Sequence, residues 1–302
     1  MDKQLQSLLT RLDTLLNRIE PLLPQPATPQ DWHASIAFRW RKKNGNGFLQ
    51  PVAHVGSIKL EDLKHIDMQR ELVERNTRQF VAGKPANNVL LTGARGTGKS
   101  SLIKACLNAY AKKGLRLIEV DKSDLIDLPD IVDLLAPRLE RFIVYCDDLS
   151  FEEGESGYKA LKSALDGSVA AQTENVLIYA TSNRRHLMPE YMRENLTYQH
   201  TDDGEVHPGD VVEEKISLSE RFGLWVNFYG FSQDDYLDIC ASWLAHFGVT
   251  ASDASHKAAL QWALERGSRS GRVAWQFARD YVGRQGAVAT GAKQVKSNKR
   301  KQ

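Results

Sequence analysis

Long apolar runs are missing from this chain: no stretch of about eighteen apolar residues occurs, so no membrane-spanning helix is expected. Met1-Asp2-Lys3-Gln4 opens an amphipathic segment rather than an apolar one, which argues against a secretory signal and makes the cytoplasm the expected location. Cysteine is scarce. Cys106, Cys146 and Cys240 form no C-x-x-C, and each sits in an apolar pattern, so buried free thiols are expected rather than disulfides or metal ligands. Neither sign of charge is in excess, and a formal net charge of +2 names no partner. Only the last ten residues are one-sided, carrying Lys293, Lys296, Lys299, Arg300 and Lys301 without an acid. No internal repeat is found. What is present suffices for a real core, since 302 residues at 42% apolar fit one large or two modest domains.

The richest segment is Gly93-Ala94-Arg95-Gly96-Thr97-Gly98-Lys99-Ser100-Ser101, which fits G-x-x-x-x-G-K-[ST] and predicts a loop wrapping the phosphates of a nucleoside triphosphate. Glycines let successive backbone N–H groups converge on phosphate. Lys99 adds a point charge near the β and γ groups, and the Ser100 hydroxyl is a ligand for Mg2+. The flanks agree: Asn88 to Thr92 reads as a buried strand, and Ser101 to Ala111 as a helix whose N-terminus faces the anion.

Around this loop the chain divides by pattern. Leu5, Leu8, Leu9, Leu12, Leu15, Leu16 and Ile19 predict an amphipathic helix over 3–20, ending near Pro21. It either packs on its own domain or docks on a partner or a second copy, because a leucine stripe must be covered. Pro24, Pro26 and Pro29 keep the next stretch extended. Phe38-Arg39-Trp40-Arg41-Lys42-Lys43, followed by Asn44-Gly45-Asn46-Gly47, reads as a solvated basic hairpin, with phosphate and base contact as the sharper alternative. From Leu60 helices and strands alternate, the sign of a parallel sheet covered on both faces. Candidate strands are Asn88 to Thr92, Leu115 to Asp121, Phe142 to Asp147, Val176 to Thr181 and Leu224 to Phe228. Asp234 to Phe247, Ser255 to Arg266 and Arg272 to Gly283 then read as three helices of a small second domain.

Ligands of such sheets sit outside the carboxyl ends of strands, which brings the ends of two further strands beside the phosphates. The segment Arg141 to Asp148 reads as an apolar strand ending in two carboxylates, Asp147, placed to hold Mg2+, and Asp148, placed to orient or deprotonate water; Glu152 and Glu153 keep the identity of the base open. The strand from Val176 ends in Thr181-Ser182-Asn183, where an uncharged amide can hold water or touch the γ-phosphate. Arg221 stands just before the last strand and, facing a neighbouring subunit, could act as an arginine finger. Gly267-Ser268-Arg269-Ser270-Gly271-Arg272 opens the last helix, where a cation can close over phosphates.

The order and spacing of these elements resemble the AAA-type (AAA+) P-loop ATPases over roughly residues 60 to 283. The resemblance implies an α/β P-loop NTPase fold: a five-stranded parallel sheet in the order 5-1-4-3-2 with a small C-terminal helical lid domain. It further implies adenine near His65-Ile66-Asp67, Asn183 as first sensor, Arg221 as finger and Arg272 as second sensor, with Arg269 the alternative for that role. More narrowly, LLTGARGTGKSSLIKA, YCDDLSFEEGE, YATSNRRHLMPEYM, LSERFGLWV and RGSRSGRVAWQFARDY look like the bacterial ATPase family defined by domain of unknown function 815. The implied organisation is an N-terminal helix at 1–25, a linker and basic hairpin at 26–59, and an AAA-type nucleotide-binding domain at 60–230. A helical lid at 231–284 and a basic disordered tail at 285–302 complete it.

The chain is therefore expected to bind ATP and Mg2+, to hydrolyse ATP at a site completed in a homo-oligomer, and to act on an unidentified protein or nucleic-acid target. Asp148 stands where a longer Glu is common in the AAA-type pattern, so slow hydrolysis is expected. Residues 122–129 lack the aromatic-apolar-Gly loop of polypeptide-threading machines, which favours a switch or loader. A nucleic-acid loader using the basic hairpin and lysine-rich tail is the alternative. A small-molecule kinase would not need the late arginines. No Asn-Lys-x-Asp segment reads guanine, although Asp121-Lys122-Ser123-Asp124 comes near. His186, His200 and His207 lack ligand spacing, and Trp225, Trp243, Trp262 and Trp275 read as core.

Overall fold

The structure, a computed structural model, describes residues 6, 11–14, 31–151, 155–166, 174–183, 199–200, 206–207 and 218–298, with backbone alone at 156, 199–200, 206–207 and 285–298. The leucine-striped N-terminal helix thus lies outside the described residues except at Gln6 and residues 11–14. Nine strands are described: β1 (Ala37–Lys43), β2 (Asn46–Pro51), β3 (Val89–Gly93), β4 (Leu115–Glu119), β5 (Arg141–Cys146), β6 (Val176–Ser182), β7 (Gln199–His200), β8 (Val206–His207) and β9 (Leu224–Phe228). The α-helices are α1 (Asp67–Val81), α2 (Lys99–Tyr110), α3 (Leu128–Leu135), α4 (Ser156–Asp166), α5 (Gln233–His246), α6 (Asp253–Glu265) and α7 (Gly271–Asn298).

Continuous burial of Val89-Leu90-Leu91 and Phe142 to Cys146 marks strands covered on both faces, as a parallel sheet requires. One face packs Trp32, Phe38, Phe142 and Val144 against α3 and α4 through Ile131, Leu135 and Leu161. The other packs Tyr145 and Tyr179 under α1 and α2 through Val73, Phe80, Leu102 and Ile103. Helix α1 buries Val73, Asn76, Thr77 and Phe80, the i, i+3, i+4, i+7 stripe of an amphipathic helix.

The sheet differs from the five-stranded expectation. It has seven strands in the order β2-β1-β4-β5-β6-β3-β9, all parallel except the β1–β2 hairpin. The two added strands lie beyond β4, so the order of the whole sheet is not 5-1-4-3-2 alone. The cause is the basic hairpin, which docks instead of standing in solvent: Ala37, Phe38 and Arg39 of β1 pair with Leu117, Ile118 and Glu119 of β4. Phe38 and Trp40 are buried, and the Trp40 indole donates to Asp127 Oδ2 at 2.8 Å. Its cations are matched by acids, Arg39 with Glu119 at 2.6 Å, Arg41 with Asp121 at 2.7 Å and Lys42 with Asp127 at 2.7 Å.

After β9, helices α5, α6 and α7 share an apolar core of their own that includes Tyr236, Ile239, Leu244, Ala259, Val273 and Phe277. Reciprocal side-chain caps start the first two, Ser232 with Asp235 and Ser252 with Ser255. Helix α7 runs to Asn298, past the point where the sequence expects a disordered tail from 285. No helix among the described residues is long and apolar enough to cross a membrane. The three cysteines are free and buried, and burial pushes each thiol up to about 12.

Candidate functional site

The turn from β3 into α2 is built around residues that tolerate no side chain. Gly93 has φ +126, and a Cβ there would stand 1.9 Å from the carbonyl oxygen of Phe228 on the neighbouring β9. Gly96 has φ +75, and its Cβ would meet Ser270 Oγ at 2.8 Å. The loop is thereby pressed between the sheet and the start of α7, whose Gly271 N–H donates to the Gly96 carbonyl at 2.9 Å. Glycine at these positions follows from the local φ and the close approach, independent of any ligand.

Lys99, at the first turn of α2, is 6% exposed. Its Nζ donates to the carbonyls of Gly93 at 2.6 Å and Ala94 at 2.8 Å, and to Asn183 Oδ1 at 3.0 Å. Burial pushes its ammonium below the ordinary lysine value, against the opposing pull of Asp147 and Asp148. Ser100 Oγ donates to Asp147 Oδ1 at 2.8 Å, and Thr181 Oγ1 donates to the same oxygen at 2.6 Å. The Asp147 carboxyl is raised by desolvation but lowered further by the Thr181, Tyr145 and Ser100 hydroxyls, so it settles below the ordinary carboxylate value.

Asp148 adopts φ +53, an uncommon conformation for a residue with a side chain. Its N–H donates to Thr181 Oγ1 at 2.9 Å, Asn183 Nδ2 donates to its carboxylate, and Arg95 stands 3.5 Å away. Thr181 thus ties both acids to the end of β6. Sequence reasoning places the acids and Asn183 but misses Thr181, whose bonds depend on the β5–β6 register.

These groups border one cavity of about 710 Å³, lined by Arg95 to Ser101, Asp147, Asp148, Thr181, Asn183 and Arg272. The same cavity is also lined by apolar and aromatic side chains, Leu63, Ile66, Ile239, Trp243, His246 and Trp275. Trp243 and Trp275 meet edge to face at 4.6 Å. Periodicity reads both as core; only the packing of α5 on α7 brings them to the cavity. His65, with φ +58, bridges to α5 through Asp235 at 3.0 Å and Asp238 at 3.4 Å.

The two candidate late arginines separate. Arg272 lines this cavity, whereas Arg269 lines a second one of about 620 Å³ on the other side of the loop. Arg221 lines neither; its Nε donates to Asp166 Oδ1 at 2.5 Å. Glu152, Glu153 and His186 lie outside the described residues, and no group of three or more His, Cys, Asp or Glu gathers as a metal cage among those described.

A parallel sheet covered on both faces, a glycine loop that leads from one of its strands into a helix, and two acids at the end of another strand make up an α/β fold of the P-loop NTPase kind. Within that class the chain belongs to the family described as protein of unknown function DUF815, which matches residues 33–285. No curated protein matches the chain. Among solved structures it is similar to the replication initiator DnaA bound to AMPPCP and single-stranded DNA. That match has TM-score 0.51 and 17% identity over 79% of this chain and 68% of the other. It is also similar to a RuvB variant from Thermotoga maritima, with TM-score 0.50 and 13% identity over 74% of this chain. The chain spans 63% of that RuvB's length. At these identities the likeness is one of fold.

Proposed function

We propose that the protein is an ATP-binding AAA-type ATPase that hydrolyses MgATP at a site completed by a neighbouring subunit and acts as a switch or remodeller on a macromolecular partner. The observation that carries this reading is the joined network of Lys99, Asn183, Asp148, Thr181, Asp147 and Ser100 at the mouth of one cavity. The backbone of Gly93 to Ser101 would cradle the phosphates, and Lys99 would exchange its loop carbonyls for phosphate oxygens. The apolar and aromatic part of the lining, Ile66, Trp243 and Trp275, suits a purine ring.

Ser100 and Asp147 fit Mg2+: both present hard oxygens, and a two-residue set leaves room for phosphate and water, the usual magnesium arrangement. Bound there, the ion would offset charge on the transferring phosphoryl group. Asp148 is the group assigned to orient the attacking water and accept its proton. Asn183, bonded to both Lys99 and Asp148, couples the water's position to that of the phosphates. Arg272 is assigned the second-sensor role over Arg269 because it lines the cavity, and α5 to α7 act as the lid that carries it. The domain limits follow as proposed, 60–230 for the nucleotide domain and 231–284 for the lid. Arg221 is assigned to the neighbour's site: it stands outside the loop cavity and would exchange Asp166 for the neighbour's phosphates.

A nucleic-acid loader working through the basic hairpin is not favoured, because Arg39, Arg41 and Lys42 are already matched by acids. Steady-state ATP turnover as a function of protein concentration tests the reading. Specific activity is expected to rise with assembly and to fall by about 10³-fold in Arg221→Ala, with ATP binding retained. Flat specific activity, equal in both proteins, would remove the shared site.

A further inference from the structure

Tyr145 and Tyr179 stand opposite each other on β5 and β6, and both are fully buried. They have opposite hydrogen-bonding fates. The Tyr179 hydroxyl is matched by Asn76 Nδ2 at 3.1 Å and Thr77 Oγ1 at 2.9 Å, two polar residues that α1 buries on its inner stripe. The Tyr145 hydroxyl is buried and has no hydrogen-bond partner of ordinary geometry among the described residues. An orphaned buried hydroxyl is a cost that a phenylalanine would remove at nearly the same volume, so its presence asks for a use.

Its neighbourhood supplies one. Tyr145 lies two residues before Asp147, and side chains two apart share one face of a strand. That face packs against α2, which carries Ser100. The hydroxyl thus lies beside both Asp147 and Ser100, although it makes no bond of ordinary geometry with either. Asp147 Oδ1 already accepts from Ser100 and Thr181.

We propose that Tyr145 is a positioning residue of the Ser100–Asp147 metal pair, its hydroxyl donating to the Asp147 carboxylate and fixing it for the ion that accompanies the nucleotide. This rests on the magnesium-nucleotide reading given above. The bond takes over the place that Ser100 leaves when its hydroxyl turns to the metal, and holds the carboxylate ionised and oriented. Groups that orient a metal ligand in this way set its affinity without touching the ion.

The test is Mn2+ titration, followed by electron paramagnetic resonance, of the full chain with a non-hydrolysable ATP analogue, paired with thermal melting of the protein alone. Tyr145→Phe is expected to weaken Mn2+ binding by about tenfold. The same variant should lose clearly less melting temperature, without ligand, than Tyr179→Phe, because its hydroxyl has no bond of ordinary geometry to break. Tyr179→Phe, at the opposite position, should do the reverse: it lowers the melting temperature and leaves Mn2+ affinity unchanged. Wild-type Mn2+ affinity in Tyr145→Phe overturns the proposal, as does a loss of melting temperature matching that of Tyr179→Phe. Wild-type protein that takes up no Mn2+ with the analogue overturns the metal-nucleotide reading itself, and Tyr145 with it.

Discussion

Asp147 shows how a few hydroxyls decide the state of a site. Desolvation alone would raise its carboxyl, yet the Thr181, Tyr145 and Ser100 hydroxyls favour the ionised form and bring it below its ordinary value. A carboxyl whose folded value is lowered stabilises the fold above its unfolded value, and that contribution disappears as pH falls through the folded value. Asp147→Asn should therefore melt with a shallower loss of stability than wild type as pH falls below about 4, since it has no proton to gain. Parallel melting curves across that range would contradict this. Lys99, Ser100 and Asp147 were legible in the sequence because the loop motif and the strand end fix them along the chain. Thr181 and Tyr145 were not, because their roles arise from strand register and from what α2 lays over β5. Trp243 and Trp275 read as core for a similar reason: helical periodicity marks an apolar face without showing that its edge borders a cavity.

At the level of elements, the five strands β3, β4, β5, β6 and β9, helices α5 and α6 and the start of α7 were legible within a few residues, because apolar runs and periodicity are local signals. The hairpin's place was not. Its alternation and Asn-Gly turn announce two strands, but pairing with β4 is a long-range choice that depends on charge and burial together. Glu119, Asp121 and Asp127 receive its cations, and Trp40 fills the sheet's edge. Asp127 is central here, accepting from the Trp40 indole at 2.8 Å and pairing with Lys42 at 2.7 Å. Asp127→Ala leaves a buried indole N–H unpaired and is expected to destabilise the protein by about 1–3 kcal/mol. Because this edge lies beyond β4 and borders no part of the cavity, nucleotide affinity should be unchanged. Denaturant unfolding beside a nucleotide titration checks both halves, and a matched loss of affinity would show that the hairpin supports the site.

For the molecule as a whole, the site is a seam. One wall is the loop and acids of the sheet; the other is the α5–α7 cluster, tied on by the Gly271–Gly96 bond and by His65 to Asp235 and Asp238. Ligand held at such a seam draws the walls together, which is how binding energy becomes movement of one part against another. The chain belongs to the DUF815 family and shares its fold with DnaA and a RuvB variant; the residues at the seam argue the chemistry. All of this depends on the cavity holding a magnesium-bound triphosphate against Lys99. The direct measurement is calorimetric titration of wild-type protein and Lys99→Ala with a non-hydrolysable ATP analogue, with and without Mg2+. The account predicts saturable one-to-one binding that needs Mg2+ and weakens on the order of tenfold or more in Lys99→Ala. Equal binding by the two proteins, or none by the wild type, would contradict it.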